Sequence, residues 1–206
     1  EKVRELSKVT DVNAEIVLKS GYKVLPLEMA ISFRRYEITS FLVSVCRDIQ
    51  KIDCALMKQE QYPKSLLHIA CNAGRLNTVK LLLKENVSTT FLTKYGKSAL
   101  DKAFRSSFPN EYSELNSMIQ VLLDYDVPIG ESFESAVQSG LNELVDLFID
   151  KGVFKKIVDP NKIISAAIFG QNWKFIHKNQ QWMMDNGFTF NSFSMIGNEK
   201  LEELEF

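Results

Sequence analysis

Two stretches 33 residues apart carry the same residues at the same spacing: Ser65, Leu67 and Ala70 in SLLHIA, and Ser98, Leu100 and Ala103 in SALDKA. A period this short constrains the fold more than any composition does. It holds only one supersecondary unit, and one such unit has no second layer to bury its apolar face against. Further copies extend both ways. LPLEMA (25–30) aligns with SLLHIA at an offset of 40. SAVQSGLNELVDLFIDKGV (135–153) repeats the four-residue Ala70/Gly74 spacing as Ala136/Gly140, followed by an apolar triplet and Gly152. A weaker copy, SAAIFG (165–170), precedes WMMDNG (182–187).

Each unit reads as a short helix hairpin. Leu67, Ala70 and Cys71 recur at helical spacing, Gly74 breaks the chain, and Leu76, Val79, Leu82 and Leu83 make a second amphipathic helix. Such hairpins are stable only when laid side by side, with axes about 8–10 Å apart. Small residues at Ala30, Ala70, Ala103, Ala136 and Ala166 let the inner helices approach. Breaks in the period mark enlargements at 47–61, at 106–116 and near 154–162 around Pro160. The second lengthens either the inter-helix turn or the second helix, and the loop after it shrinks to DVPIG. Loops of this size are partner contacts or tolerated drift.

The 33-residue unit with a T-P-L-H-x-A start resembles the ankyrin repeat. Residues 25–30 supply the proline and leucine, 65–70 the hydroxyl, leucine, histidine and alanine, and 98–103 the hydroxyl, leucine and alanine. Departures are Leu25 at the threonine position, Glu28 and Asp101 at the histidine, and Leu66 and Ala99 at the proline. The resemblance runs from about Lys8 to about Gly187. It implies an all-α ankyrin-repeat solenoid of about five stacked helix-turn-helix units with finger loops. Residues 1–24 then form a truncated preceding repeat or cap, 25–153 the repeats, 154–187 a degenerate repeat, and 188–206 a C-terminal cap or the start of a further unit.

Composition limits the chemistry. The chain has 206 residues, three cysteines without a CxxC, and two histidines far apart in sequence. That pattern argues against a disulfide framework or a zinc site and for a reducing, intracellular (cytoplasmic or nuclear) setting. No apolar run reaches membrane-spanning length. The start at Glu1 without methionine reads as a fragment of a longer protein. No phosphate loop, dinucleotide fingerprint or HExxH occurs, so no cofactor and no metal are expected. His68 and Cys71, three residues apart, raise the question of a nucleophile and its base. The resemblance implies that His68 is structural, bonding to Ser65 and nearby backbone, and that Cys71 fills a small buried slot. Trp173 and His177 in WKFIHKNQQW (173–182) read as core packing rather than a ligand cage. Catalytic residues are therefore none.

Residues 1–110 hold 18 Lys and Arg against 11 Asp and Glu, and residues 111–206 hold 7 against 15, so the halves carry +7 and −8. A split of this size is either random charge scatter over a solvated surface or a means of steering partners of opposite sign. The resemblance implies that the finger loops and exposed positions of the first helices contact a partner. By position these are Tyr22, Tyr62 and Tyr95, each three residues before its motif, with Lys23, Lys64 and Lys97 beside them, then Phe33 and Arg105 on the inner helices with Arg34 and Arg35 after Phe33. Tyrosine and arginine combine large contact area with a polar end. The expected function is a non-enzymatic module gripping another protein or peptide of acidic character. The alternative is the recruiting region of a larger enzyme or effector whose chemistry lies elsewhere. Nucleic acid is not expected as a partner, because the pI is about 6.2 and no reading motif occurs.

Overall fold

The computed structural model describes residues 11, 13–19, 21, 23–59, 62–105, 112–153 and 159–185. They divide between two compact units, Glu1–Gly130 and Glu131–Phe206. Among the described residues the secondary structure is almost entirely helical. The first unit opens with a two-residue antiparallel ladder, β1 (Ile16–Val17) on β2 (Lys23–Val24). It then holds α1 (Pro26–Ser32), α2 (Tyr36–Val45), α3 (Ile49–Met57), α4 (Leu66–Ala73), α5 (Leu76–Lys84), α6 (Ala99–Arg105) and α7 (Tyr112–Asp124). The second holds α8 (Ser132–Gln138), α9 (Asn142–Asp150), α10 (Pro160–Phe169), α11 (Trp173–Lys178) and α12 (Gln180–Asp185). The expected C-terminal helix at 194–206 lies outside the described residues.

Hairpins pair as α1/α2, α4/α5 and α6/α7 in the first unit and α8/α9 and α10/α11 in the second. In the first unit α1, α4 and α6 pack side by side, and α2, α5 and α7 form the layer behind them. The apolar spacing that predicts the second helices is what the core uses: Val79, Leu82, Ile119, Leu122, Val145 and Phe148 are buried. Phe133 sets the centre of the second unit, edge-on to Phe148 at 5.6 Å and to Phe175 at 6.4 Å. In the segment 173–182, Phe175 and Ile176 are the core residues, while Trp173 is half-buried and His177 exposed.

The motif residues join successive repeats. The Ser65 hydroxyl accepts from the His68 N–H at 3.2 Å and lies 2.7 Å from His68 Nδ1, while His68 Nε2 meets the Lys97 carbonyl of the next finger at 3.1 Å. In the next unit Ser98 and Asp101 cap each other, the Asp101 N–H donating to Ser98 Oγ and the Ser98 N–H to Asp101 Oδ2. Asp101 packs so closely on Gly130 that a Cβ there would overlap its carboxylate. At the same position in the first hairpin, buried Glu28 pairs with Lys64 at 2.5 Å.

Three sequence expectations are corrected. The enlargement at 47–61 is not only loop: Ile49, Ile52 and Leu56 fall on one face of α3 and are buried. From α3, buried Asp53 accepts from the Leu66 N–H at 2.6 Å and the Ser88 N–H at 2.8 Å, filling an open donor at the start of α4 and one in the following finger. Pro160 lies in the first turn of α10, capped by Asp159, rather than in a loop. Third, the small residue facing inward in the last hairpin is Ala167, which is fully buried, and not Ala166. The inter-helix turn supplies the reason. It needs one left-handed residue four positions after the inner alanine, and Arg34 (φ 59°), Gly74 (67°), Gly140 (69°) and Gln171 (52°) take it. Gly170 is helical at φ −79°, kept small because a Cβ would overlap the Gln138 carbonyl. At 106–116 the second helix is extended, since α7 has 13 residues where α5 and α9 have 9, while the inter-helix residues 106–111 lie outside the described residues.

Replacing Asp53 with alanine orphans two backbone N–H groups, one buried and one half-buried, and is expected to destabilise the chain by about 2–4 kcal/mol in denaturant melts. A loss below about 0.5 kcal/mol would show that α3 is not a staple. Gly170→Ala is expected to cost about 1–3 kcal/mol by overpacking, while Gln171→Gly relieves left-handed strain and gains about 0.5–1 kcal/mol. The reverse ranking would restore Gly170 as the turn residue. Burial pushes the His68 imidazole below its ordinary value, against smaller opposing effects of the Lys97 carbonyl and Asp101. The folded state thus favours neutral His68, so its contribution is complete above the unfolded value of about 6.5 and is lost as pH falls beneath it. Wild type should therefore lose more stability than His68→Gln between pH 7 and pH 5, read as the difference in thermal midpoints.

Candidate functional site

The finger before α6 is a tight loop. The Gly96 N–H donates to the Thr93 carbonyl at 2.8 Å, the Thr93 N–H to the Lys97 carbonyl at 2.9 Å, and the Lys97 N–H to Thr93 Oγ1 at 3.1 Å. Held this way, Tyr95 projects from the tip with 74% of its surface exposed, and the Lys94 ammonium stands 5.0 Å from its ring centroid. One repeat earlier, Tyr62 is 64% exposed beside Pro63. Between these fingers and the faces of α1, α4 and α6 lies a cavity of about 540 Å³, lined in part by Tyr62, Lys64, Tyr95 and Lys97.

Other residues of the lining were not singled out from the sequence: Ser32, Ile69, Asn72, Lys94 and Lys102. Ile69 and Lys102 each precede the inner alanine of their helix, and Ser32 and Asn72 each follow it by two. The rule that exposed positions of the first helix form the floor reaches Ser32, Asn72 and Lys102 once the alanine fixes the register, but not Ile69, which is buried. His68 closes the back wall, and Lys102 contributes to holding its imidazole neutral. No acidic side chain lines the cavity among the described residues.

The remaining candidates stand elsewhere. Lys23 sits on β2 and pairs with Glu15 at 3.2 Å, with both side chains largely exposed. Phe33, 67% exposed, and Arg34 and Arg35 occupy the turn between α1 and α2. There desolvation, and after it like-charge repulsion from Arg75 at the equivalent turn of the next hairpin, lowers the basicity of Arg34. None of these four lines the cavity. Tyr22 and the side chain of Arg105 lie outside the described residues. Lys64 lines the cavity, but its ammonium is engaged by Glu28 Oε1, while Glu28 Oε2 has no hydrogen-bond partner.

The geometry gives the His68 and Cys71 pair no dyad. Both imidazole nitrogens are engaged, by Ser65 and by the Lys97 carbonyl. Cys71 is fully buried, which pushes its thiol far above the reactive range. Among the described residues no group of three metal-ligating side chains converges, and no helix is long and apolar enough to cross a membrane.

A sequence profile described as ankyrin repeats in three copies matches residues 27–132. A search of curated proteins gives no match. Among solved structures, a crystal structure of an ankyrin repeat domain from Acinetobacter baumannii AYE is similar at 19% identity and a TM-score of 0.55, over 71% of this chain and 72% of that one. The human ASB11 ankyrin repeat domain is similar at 19% identity and a TM-score of 0.56, over 81% of this chain and 71% of that one. At such identity the likeness concerns fold alone, and it agrees with the hairpin stacking, the Ser65–His68 tie and the profile match. The chain belongs to the ankyrin repeat family.

Proposed function

We propose that the first unit is a binding module that holds an acidic segment of a partner protein between two of its fingers. Ankyrin repeats are in general protein–protein interaction modules, typically without catalysis. The observation that carries the finer reading is the pair Tyr62 and Tyr95, both largely exposed, at the same finger position one repeat apart, flanking a cavity lined by lysines and no carboxylate. A tyrosine left in water by the fold itself contributes little to stability and much to an interface, where its ring is covered and its hydroxyl still finds a partner. Lysines around it raise the local concentration of anionic segments and speed encounter, an effect that salt weakens. The excess of positive charge in residues 1–110 extends the same field beyond the cavity.

The test is the double replacement of Tyr62 and Tyr95 by alanine, compared with Tyr125→Ala, which removes an exposed tyrosine outside the cavity lining. Thermal melts of both variants should match wild type within about 0.5 kcal/mol, since each ring is at the surface. Affinity for the partner recovered by crosslinking should fall at least tenfold in the double variant and stay unchanged in Tyr125→Ala. Equal affinity of the double variant and wild type would remove the groove from consideration.

A further inference from the structure

We infer that the occupant of this groove is an extended, polyproline II-like segment with a carboxylate side chain at every third position. The inference rests on the reading above and adds the conformation and spacing of the ligand. Its basis is a match of periods. Because α1, α4 and α6 lie side by side, a chain crossing them meets equivalent positions at each helix spacing, about 8–10 Å. A polyproline II segment rises about 3.1 Å per residue with three residues per turn, so the same face returns about every 9 Å. A β-strand presents the same face about every 6.6–6.8 Å and drifts out of step. An α-helix rises about 1.5 Å per residue, so one helix spacing spans about six residues, a rotation of about 600° that turns the contacting face about 120° away from the groove.

The chemistry of the walls agrees with this geometry. Tyr62 and Tyr95 present exposed rings one repeat apart, with Pro63 beside the first. Aromatic-lined grooves are what proline-rich segments dock into, because their conformation is already fixed and loses little entropy on binding. The cations lining the cavity are all lysines, and Lys94, Lys97 and Lys102 stand at different points of the finger and the floor. Lysine is a compact point charge rather than a planar fork, which suits single carboxylates met one at a time over bidentate capture of one phosphate.

The experiment uses the full chain and two synthetic peptides of equal composition and charge, acetyl-(Pro-Pro-Glu)4-amide and a block isomer with its four glutamates contiguous. Binding is measured by calorimetry at about 50 mM salt, with imidazole resonances followed by NMR. The chain has two histidines, so His68 behind the cavity reports the groove while exposed His177 serves as an internal control. The spaced peptide should bind at least tenfold tighter than the block and shift His68 but not His177. Lys102→Gln and Tyr62→Ala should each weaken it at least fivefold. Equal affinities for the two peptides, with Tyr62→Ala weakening both, would overturn the spacing and leave the groove standing. Tighter binding of a helical peptide of the same charge would overturn the extended conformation. Failure of both peptides to bind, with His68 unmoved, would overturn this inference and the groove together.

Discussion

In the first unit the side chain at the fourth position of each motif reaches out of its own repeat and ties the base of the next finger. Three different residues do this with three different chemistries: Glu28 by an ion pair to Lys64, His68 by a hydrogen bond to the Lys97 carbonyl, and Asp101 by close packing on Gly130. A hairpin with only its apolar face to hold it could slide along its neighbour, because hydrophobic contact has no direction. A buried polar contact has direction, and leaving it unmade costs more than making it gains. The stack therefore gets its adhesion from Leu67, Leu82, Leu100 and Ile119 and its register from the fourth-position side chains. Glu28 shows the limit of substitution, since one of its oxygens is paired and the other has no partner.

The same division explains the irregularities. Asp53 belongs to a helix outside the repeat pattern, yet it satisfies a donor at the start of α4 and another beyond α5, so the added segment locks two repeats. Burial raises the Asp53 carboxyl above its usual range, and the two backbone bonds pull it back. Arg34 and Gln171 occupy left-handed turns that glycine fills in other hairpins. Their strain is tolerated because the hydrogen bonds closing the turn, such as Arg35 N–H to the Ala30 carbonyl and Asn172 N–H to the Ala167 carbonyl, fix the path of the chain whatever the side chain.

The surface we propose for binding follows from the finger bases. His68 pins the Lys97 carbonyl, Lys97 closes the loop on Thr93, and the loop lifts Tyr95 into solvent, so the tie that sets the register also aims the tyrosine. Lysines at the finger and the floor then give the concavity one sign of charge. In this arrangement a structural histidine fixes the position of the exposed tyrosine.

The 33-residue period, the helix hairpins, the buried alanines of the first four hairpins and the roles of Ser65, His68 and Cys71 were legible in the sequence. Each is set by local spacing or by a motif that repeats, and burial follows from amphipathic period alone. The last inner alanine was misplaced by one residue because Gly170 mimics a turn signal, whereas its smallness answers the approach of the Gln138 carbonyl, a contact between segments 32 residues apart in sequence. Helix α3 was read as an enlarged loop because it lies outside the repeat, although its Ile49, Ile52 and Leu56 spacing was present. The sequence put Tyr62, Lys64, Tyr95 and Lys97 at equivalent finger positions, but their meeting with Lys94 and Lys102 in one cavity, apart from Lys23, Phe33, Arg34 and Arg35, was decided by tertiary structure. Sequence position says which repeat a side chain belongs to; which end of the hairpin it occupies, and whether its charge is already spent, depends on neighbours that only the packed stack brings together.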